Sequence, residues 1–89
     1  MAIIAYFPVG MTRAQYDEII KRLDEAGKLP SPGFISHVCF GDEGDLRVFD
    51  TWESEEALME FSKTLMPILE ELGVSTNPPE TAPIYNTMP

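Results

Sequence analysis

The sequence predicts one α+β domain over residues 1–89, with two helices packed on one face of an antiparallel sheet. Two observations predict it. Six segments follow in the order strand, helix, strand, strand, helix, strand, and the third strand, residues 46–52, leads directly into a helical pattern that starts at about Glu55. This order is that of the ferredoxin-like βαββαβ unit.

The first strand and first helix are predicted from a short apolar run and a capping pattern. Residues 2–7 are almost wholly apolar and are closed by Pro8, which predicts a strand buried on both faces. Thr12 and Gln15 have the spacing of a capping box, and the helix is expected to continue until Gly27. Its apolar stripe consists of Tyr16, Ile19, Ile20 and Leu23.

The two middle strands are expected to pair antiparallel. The proline-rich turn at 29–33 precedes a β-branched and aromatic strand at 34–40, and 41–45 has the composition of a hairpin loop. A last strand is predicted at Thr81–Asn86, where Pro83 requires an edge or a bulge.

The third strand places Val48, Asp50 and Trp52 on one face, because side chains alternate along a strand. Ser54 is the predicted N-cap of the second helix, which runs to about Leu72. The apolar stripe of that helix consists of Leu58, Phe61, Leu65, Ile68, Leu69 and Leu72.

Pro67 lies inside the second predicted helix. A proline lacks the N–H that the helix needs and clashes with the preceding turn. We therefore expect a kink or a break near residues 64–66, or a new turn that starts at Pro67.

The charge balance limits the partners of the chain. Fifteen acidic against 6 basic residues give a net charge of −9, which repels nucleic-acid phosphates and anionic lipids, so we expect neither nucleic acid nor membrane as a partner. Cys39 is the only cysteine and no signal-peptide pattern is present, which predicts a cytoplasmic protein.

The second face of the predicted sheet needs a cover. An 89-residue chain has a thin core, and its strands are rich in apolar residues. We expect a second copy to cover this face in a two-fold homodimer. The alternative is a monomer with one face in water.

The segment Phe49–Leu58 resembles a signature of the dimeric α+β barrel superfamily, in particular its antibiotic-biosynthesis-monooxygenase-like proteins. Their third strand ends in an aromatic-acid-x-Trp-x-Ser run before a helix. The resemblance implies a homodimer. Some members oxidise small aromatic polyketides or quinols without metal or prosthetic group, others degrade haem, and many have no known activity.

Residue by residue, Trp52 matches the family tryptophan, Asp50 the preceding acid and Ser54 the helix cap. Two departures concern haem. Phe61 and Ser62 stand where many members carry a histidine, and the first strand lacks the asparagine of haem-degrading members. Haem degradation is therefore not expected. Because nucleotide-binding glycine motifs are also absent, we expect no cofactor.

His37 is the only histidine and a candidate general base, with Asp50 as a second candidate catalytic residue. The alternative for His37 is a buried histidine held by one hydrogen bond. With Cys39 as its only neighbouring ligand on the same strand face, His37 is not expected to bind a metal.

A ligand cleft is expected between the sheet and the second helix. Trp52 either stacks on a planar ligand or belongs to the core, and Phe61 and Leu65 should wall the cleft. Its polar member is expected to be His37 or Tyr6.

Tyr85 and Asn86 are further candidates that could orient a carbonyl or phenol, with ordinary hydrogen bonds as the alternative. The predicted function is binding of a compact aromatic or quinone-like ligand by a cofactor-independent, monooxygenase-like protein. A non-catalytic dimeric binding or interaction module is the alternative.

Overall fold

The computed structural model confirms the α+β class and describes residues 1–89 apart from the side chain of Val9. Its six elements are β1 (Ile3–Met11), α1 (Arg13–Glu25), β2 (Phe34–Phe40), β3 (Leu46–Trp52), α2 (Glu55–Glu71) and β4 (Glu80–Pro83). The strands form one antiparallel sheet in the order β2-β3-β1-β4, which is the ferredoxin-like arrangement.

Both helices pack on the same face of the sheet. Val48 of β3 belongs to one buried cluster with Ile19 of α1 and Leu65 of α2. A second cluster, around Trp52 and Leu58, lies under the start of α2. The alternating burial of β3 confirms the predicted faces, because residues 48, 50 and 52 are buried and those between them are only partly covered.

The helix starts follow from local hydrogen bonds, as predicted. The Thr12 hydroxyl accepts from the Gln15 N–H at 3.1 Å, and the Gln15 side chain accepts from the Thr12 N–H at 2.9 Å. The Ser54 hydroxyl accepts from the Ala57 N–H at 3.2 Å. Each bond satisfies an amide that the first helical turn leaves free. Neither of the two described helices is both long and apolar enough to cross a bilayer.

The first strand is longer than predicted, because it runs through Pro8 to Met11. Its register against β3 shifts between Phe7 and Met11, so Pro8 lies at an irregularity. Pairing with β4 has already ended at Tyr6. A proline without an N–H is tolerated at such a site. At Gly10 an added Cβ would clash with the Asp45 side chain, which would have to move.

Two predictions for the C-terminal half are corrected. Helix α2 runs as one element with Pro67 inside it, so the predicted break and the predicted new turn at Pro67 are wrong, whereas the kink stays a prediction. Its buried leucines on both sides of the proline hold it against the sheet. The last strand ends at Pro83, not at Asn86, because its partner β1 begins at Ile3, which pairs with Pro83, and only the Ile84 N–H still donates beyond it, to the Ala2 carbonyl.

The other face of the sheet, which we call the open face, carries no helix. Its apolar members are Ile4, Tyr6, Val38, Phe40 and Phe49, which alternate in the strand register with the helix-side residues. Val38 is 54% exposed. Burial of the first strand on both faces is therefore not achieved within one chain, since Ile4 and Tyr6 are only partly buried.

Candidate active site

A cavity of about 290 Å³ lies between the sheet and the two helices. Its aromatic lining consists of Phe7, Phe34, Trp52 and Phe61, with Tyr16 and His37 as aromatic side chains that also carry polar atoms. Leu65 and Leu69 of α2 add aliphatic walls. This volume is at the small end of the range for ligand pockets, so the cavity suits a compact planar molecule.

His37 and Asp50 form a hydrogen-bonded pair at the cavity wall. They face each other directly in the β2–β3 register, and His37 Nδ1 lies 2.6 Å from Asp50 Oδ1. The Asp50 side chain is 6% exposed, whereas the His37 side chain is 29% exposed. A carboxylate can only accept, so His37 Nδ1 carries the hydrogen and the neutral ring presents Nε2 as an acceptor.

Trp52 supports Asp50 and closes the inner end of the site. Its indole Nε1 donates to Asp50 Oδ2 at 3.3 Å, and the residue is 1% exposed. Its ring lies 5.6 Å from the Phe34 ring and 4.9 Å from the Phe61 ring, measured between centroids. Trp52 is thus a buried core residue that also borders the cavity. The Trp52 N–H is the second donor to the buried Asp50 carboxylate, after His37, and it helps to hold this carboxylate in place.

Tyr16 of α1 completes the hydrogen-bond chain, although it was predicted only as part of an apolar stripe. Its hydroxyl lies 2.7 Å from His37 Nε2, and the two rings stack at 5.9 Å with an interplanar angle of 14°. Burial raises the pKa of Tyr16 above its ordinary value, and the charges of Cys39, Asp50 and Asp17 raise it further. The hydroxyl therefore stays protonated at neutral pH.

The structure brings five of the predicted site residues to one cavity. They are His37, Asp50, Trp52, Phe61 and Leu65. Their functional roles remain predictions.

The other three candidates lie elsewhere. Tyr6 is on the open face, where its hydroxyl lies 3.4 Å from Arg47 Nη1. Tyr85 and Asn86 are exposed beyond the end of β4. Tyr6 projects to the opposite side of β1 because it alternates with Ala5 and Phe7, and so it does not line the cavity.

The arrangement suits proton transfer inside an apolar site. His37 lines the cavity with Nε2 as an acceptor, and Asp50 would pair with the imidazolium that forms when Nε2 takes a proton. Among the described residues, no three histidine, cysteine, aspartate or glutamate side chains converge as a metal site.

The sequence contained a signal for the His37–Asp50 pair but only a weak one for Tyr16. A hairpin closed by residues 41–45 constrains which residues of β2 and β3 face each other. Tyr16, by contrast, meets His37 only through the packing of α1 on the sheet. Its one distinguishing feature in the sequence was a hydroxyl within an otherwise aliphatic stripe.

Comparisons with solved structures identify the same fold in known oxygenases. SnoaB, a cofactor-independent oxygenase from Streptomyces nogalater, is 18% identical, with a TM-score of 0.64 over 99% of this chain and 95% of that chain. The monooxygenase ActVA-Orf6 of Streptomyces coelicolor, in complex with nanaomycin D, is 22% identical, with a TM-score of 0.54 over 99% and 90% of the two chains.

The chain therefore shares the fold of these oxygenases. Rv0793 from Mycobacterium tuberculosis is similar at 21% identity, with a TM-score of 0.56 over 98% of this chain and 97% of that chain. No protein-family model matches the chain. No curated protein matches it either.

Proposed function

We propose that this protein binds a compact aromatic or quinone-like molecule in the cavity between the sheet and the helices, and oxidises it as a cofactor-independent monooxygenase. The observation that carries the proposal is the His37–Asp50 pair at the wall of an aromatic cavity, with its carboxylate almost fully buried. The names of SnoaB, a cofactor-independent oxygenase, and ActVA-Orf6, a monooxygenase, support the same class of reaction.

The protein's part in such a reaction is to remove a proton. Loss of a proton from a phenolic or hydroquinone-like ring leaves an electron-rich anion, which molecular oxygen can oxidise. When an activated CH2 group becomes a carbonyl, one oxygen atom enters the product and the other leaves as water. The lining of the cavity is mostly apolar, so few protein groups there could return a proton to the anion.

Two measurements on the purified protein test the proposal. Trp52 is the only tryptophan, so its fluorescence should be quenched saturably by 1-naphthol and 1,4-naphthoquinone. Oxygen uptake coupled to formation of 2-hydroxy-1,4-naphthoquinone from 1,4-dihydroxynaphthalene, which inserts one oxygen atom and releases the other as water, should exceed the buffer rate; spontaneous oxidation to 1,4-naphthoquinone inserts none. The coupled uptake should fall about 100-fold or more in His37→Gln, because general bases contribute that much to rates.

A matched control is available next to His37. Ser36 lies on the open face, where its hydroxyl pairs with Thr51, so Ser36→Ala removes a hydroxyl from β2 without touching the cavity. It should leave the oxygen uptake unchanged. Quenching of Trp52 without oxygen uptake across a panel of naphthols and hydroquinones would favour the non-catalytic binding module. If no member of the panel perturbs the emission, the proposed ligand class is wrong.

We also propose that a second copy of the chain covers the open face. Its support is the apolar set on that face, of which Val38 is 54% exposed, together with the neighbouring Arg47 guanidinium. Arg47 Cζ lies 5.2 Å from the Phe40 ring centroid, so a partner would meet a combined aromatic and cationic surface.

Light scattering measures this directly. The mass at micromolar concentration should be twice the 10.0 kDa of one chain. Phe49→Glu should return it to one chain, because it places a charge in the apolar face. Met59→Glu, on an exposed position of α2, should remain dimeric. A mass of one chain that does not change with concentration would contradict the dimer.

A further inference from the structure

Tyr16 occupies the only acceptor that the neutral His37 ring can offer to a substrate. The Nδ1–H group donates a hydrogen bond to Asp50, and the Tyr16 hydroxyl lies 2.7 Å from Nε2. The hydroxyl must therefore donate to Nε2. A substrate that used His37 directly would first have to displace this bond.

The same donation leaves the Tyr16 oxygen free to accept. No other hydrogen bond to this hydroxyl is present among the described residues, and Tyr16 lines the cavity. A hydroxyl oxygen keeps two lone pairs while it donates. The Tyr16 oxygen is thus an acceptor at the cavity wall whose own hydrogen already points at the base.

We propose that Tyr16 is a catalytic residue that takes the substrate's acidic proton and passes its own proton to His37. This inference rests on the proposed function and assigns the group that contacts the substrate. The substrate O–H bond breaks and a new O–H bond forms at Tyr16. The original Tyr16 O–H bond breaks as an N–H bond forms at His37 Nε2. The substrate keeps the electron pair as a phenolate, and Asp50 pairs with the imidazolium.

The surroundings of Tyr16 favour a relay over a tyrosinate base. Burial and the nearby negative charges raise the pKa of Tyr16, so the side chain resists carrying a charge of its own. After the transfer, Tyr16 accepts from the imidazolium and donates to the phenolate. The phenolate would otherwise lie in an apolar cavity without a donor, which is costly.

Ionisation of a bound coloured phenol tests the relay independently of oxygen chemistry. With 4-nitrophenol as the probe, quenching of Trp52 reports binding and the visible phenolate band reports ionisation. In the wild-type protein the bound probe should be more ionised than the free probe at the same pH. Tyr16→Phe should still bind it, but the ratio of phenolate to phenol should fall about tenfold, equivalent to one pKa unit of the probe. Ser36→Ala should match the wild type.

The outcomes separate the relay from the proposed function. Equal ionisation in Tyr16→Phe and wild type would overturn the relay and leave His37 as the direct base. Wild-type protein that neither binds nor ionises the probe would contradict both the cavity's proposed ligand class and the relay.

Nitrogen-15 NMR keeps the test valid if Tyr16→Phe does not fold. His37 is the only histidine, so its two ring nitrogens are assigned without ambiguity. In the neutral form of the ring, wild-type protein should show hydrogen on Nδ1 and an unprotonated, accepting Nε2. A neutral ring with its hydrogen on Nε2 would overturn the relay, because Tyr16 would then accept and could not donate.

Discussion

The two faces of the sheet are built from alternating residues of the same strands, yet they differ in chemistry. The helix side places Asp50 beneath the helices, where it is bonded to His37 and Trp52. The open face places Phe49 and Thr51 next to it in sequence, without a helix to cover them. Burial makes the helix side suitable for proton transfer, and exposure of apolar groups makes the open face suitable for association.

This difference shows that residue type and position in the sequence do not by themselves identify the residues that line a site on one face of a sheet. Tyr6 and Tyr16 are both tyrosines near the start of the chain, but only Tyr16 reaches His37. The period of two along a strand assigns Tyr6 to the open face. Tyr16 reaches the cavity from above, on α1.

Removal of a core side chain on the helix side should have the largest effect on stability. Leu58 lies on the buried side of α2 and is 4% exposed, and Leu58→Ala should lower the free energy of unfolding by about 2–5 kcal/mol, because it leaves a cavity. Urea unfolding measures the change. Met59→Ala, the exposed neighbour on the same helix, should change it by no more than about 0.5 kcal/mol. A larger loss in Met59→Ala than in Leu58→Ala would contradict the buried face of α2 described above.

Removal of the buried carboxylate should have an intermediate effect. Asp50→Ala leaves the N–H groups of His37 and Trp52 without their acceptor, so we expect a loss of about 1–3 kcal/mol in the free energy of unfolding. Thr51→Val removes a hydroxyl from the open face and should stay within about 0.5 kcal/mol. A neutral effect of Asp50→Ala would indicate that the hydrogen-bond chain contributes little to the fold.

The smallest expected effect is on the free energy of unfolding at alkaline pH, compared between the wild type and Tyr16→Phe. Folding raises the pKa of Tyr16, so the unfolded chain loses this proton first as the pH rises above about 10. The folded state therefore binds more protons there and loses stability as the pH increases. Tyr16→Phe should weaken this alkaline loss in urea unfolding.

An ultraviolet titration of tyrosine ionisation supplies the matching comparison. The late part of the curve should disappear in Tyr16→Phe and persist in Tyr6→Phe, which removes the tyrosine of the open face. Loss of the late part in Tyr6→Phe instead would reverse the assignment of the two faces.

The sequence by itself determined the order of the elements, the helix starts and the two faces of β3. These features depend on local rules: Thr12 with Gln15 and Ser54 with Ala57 are three residues apart, and side chains alternate along a strand. The C-terminal ends of β1 and β4 could not be predicted from those local rules. They depend on which partner strand is present, and Pro8 is tolerated only because pairing is irregular beside it.

Only the tertiary structure decided which polar groups meet. His37 joins Asp50 through a strand register, and Tyr16 joins His37 across 21 residues through the docking of α1 on the sheet. No local pattern encodes that docking, because it is set by how the apolar stripes of two helices share one sheet face. The same packing leaves room for a cavity beside a fully buried Trp52. From the sequence alone, Trp52 could either stack on a ligand or belong to the core.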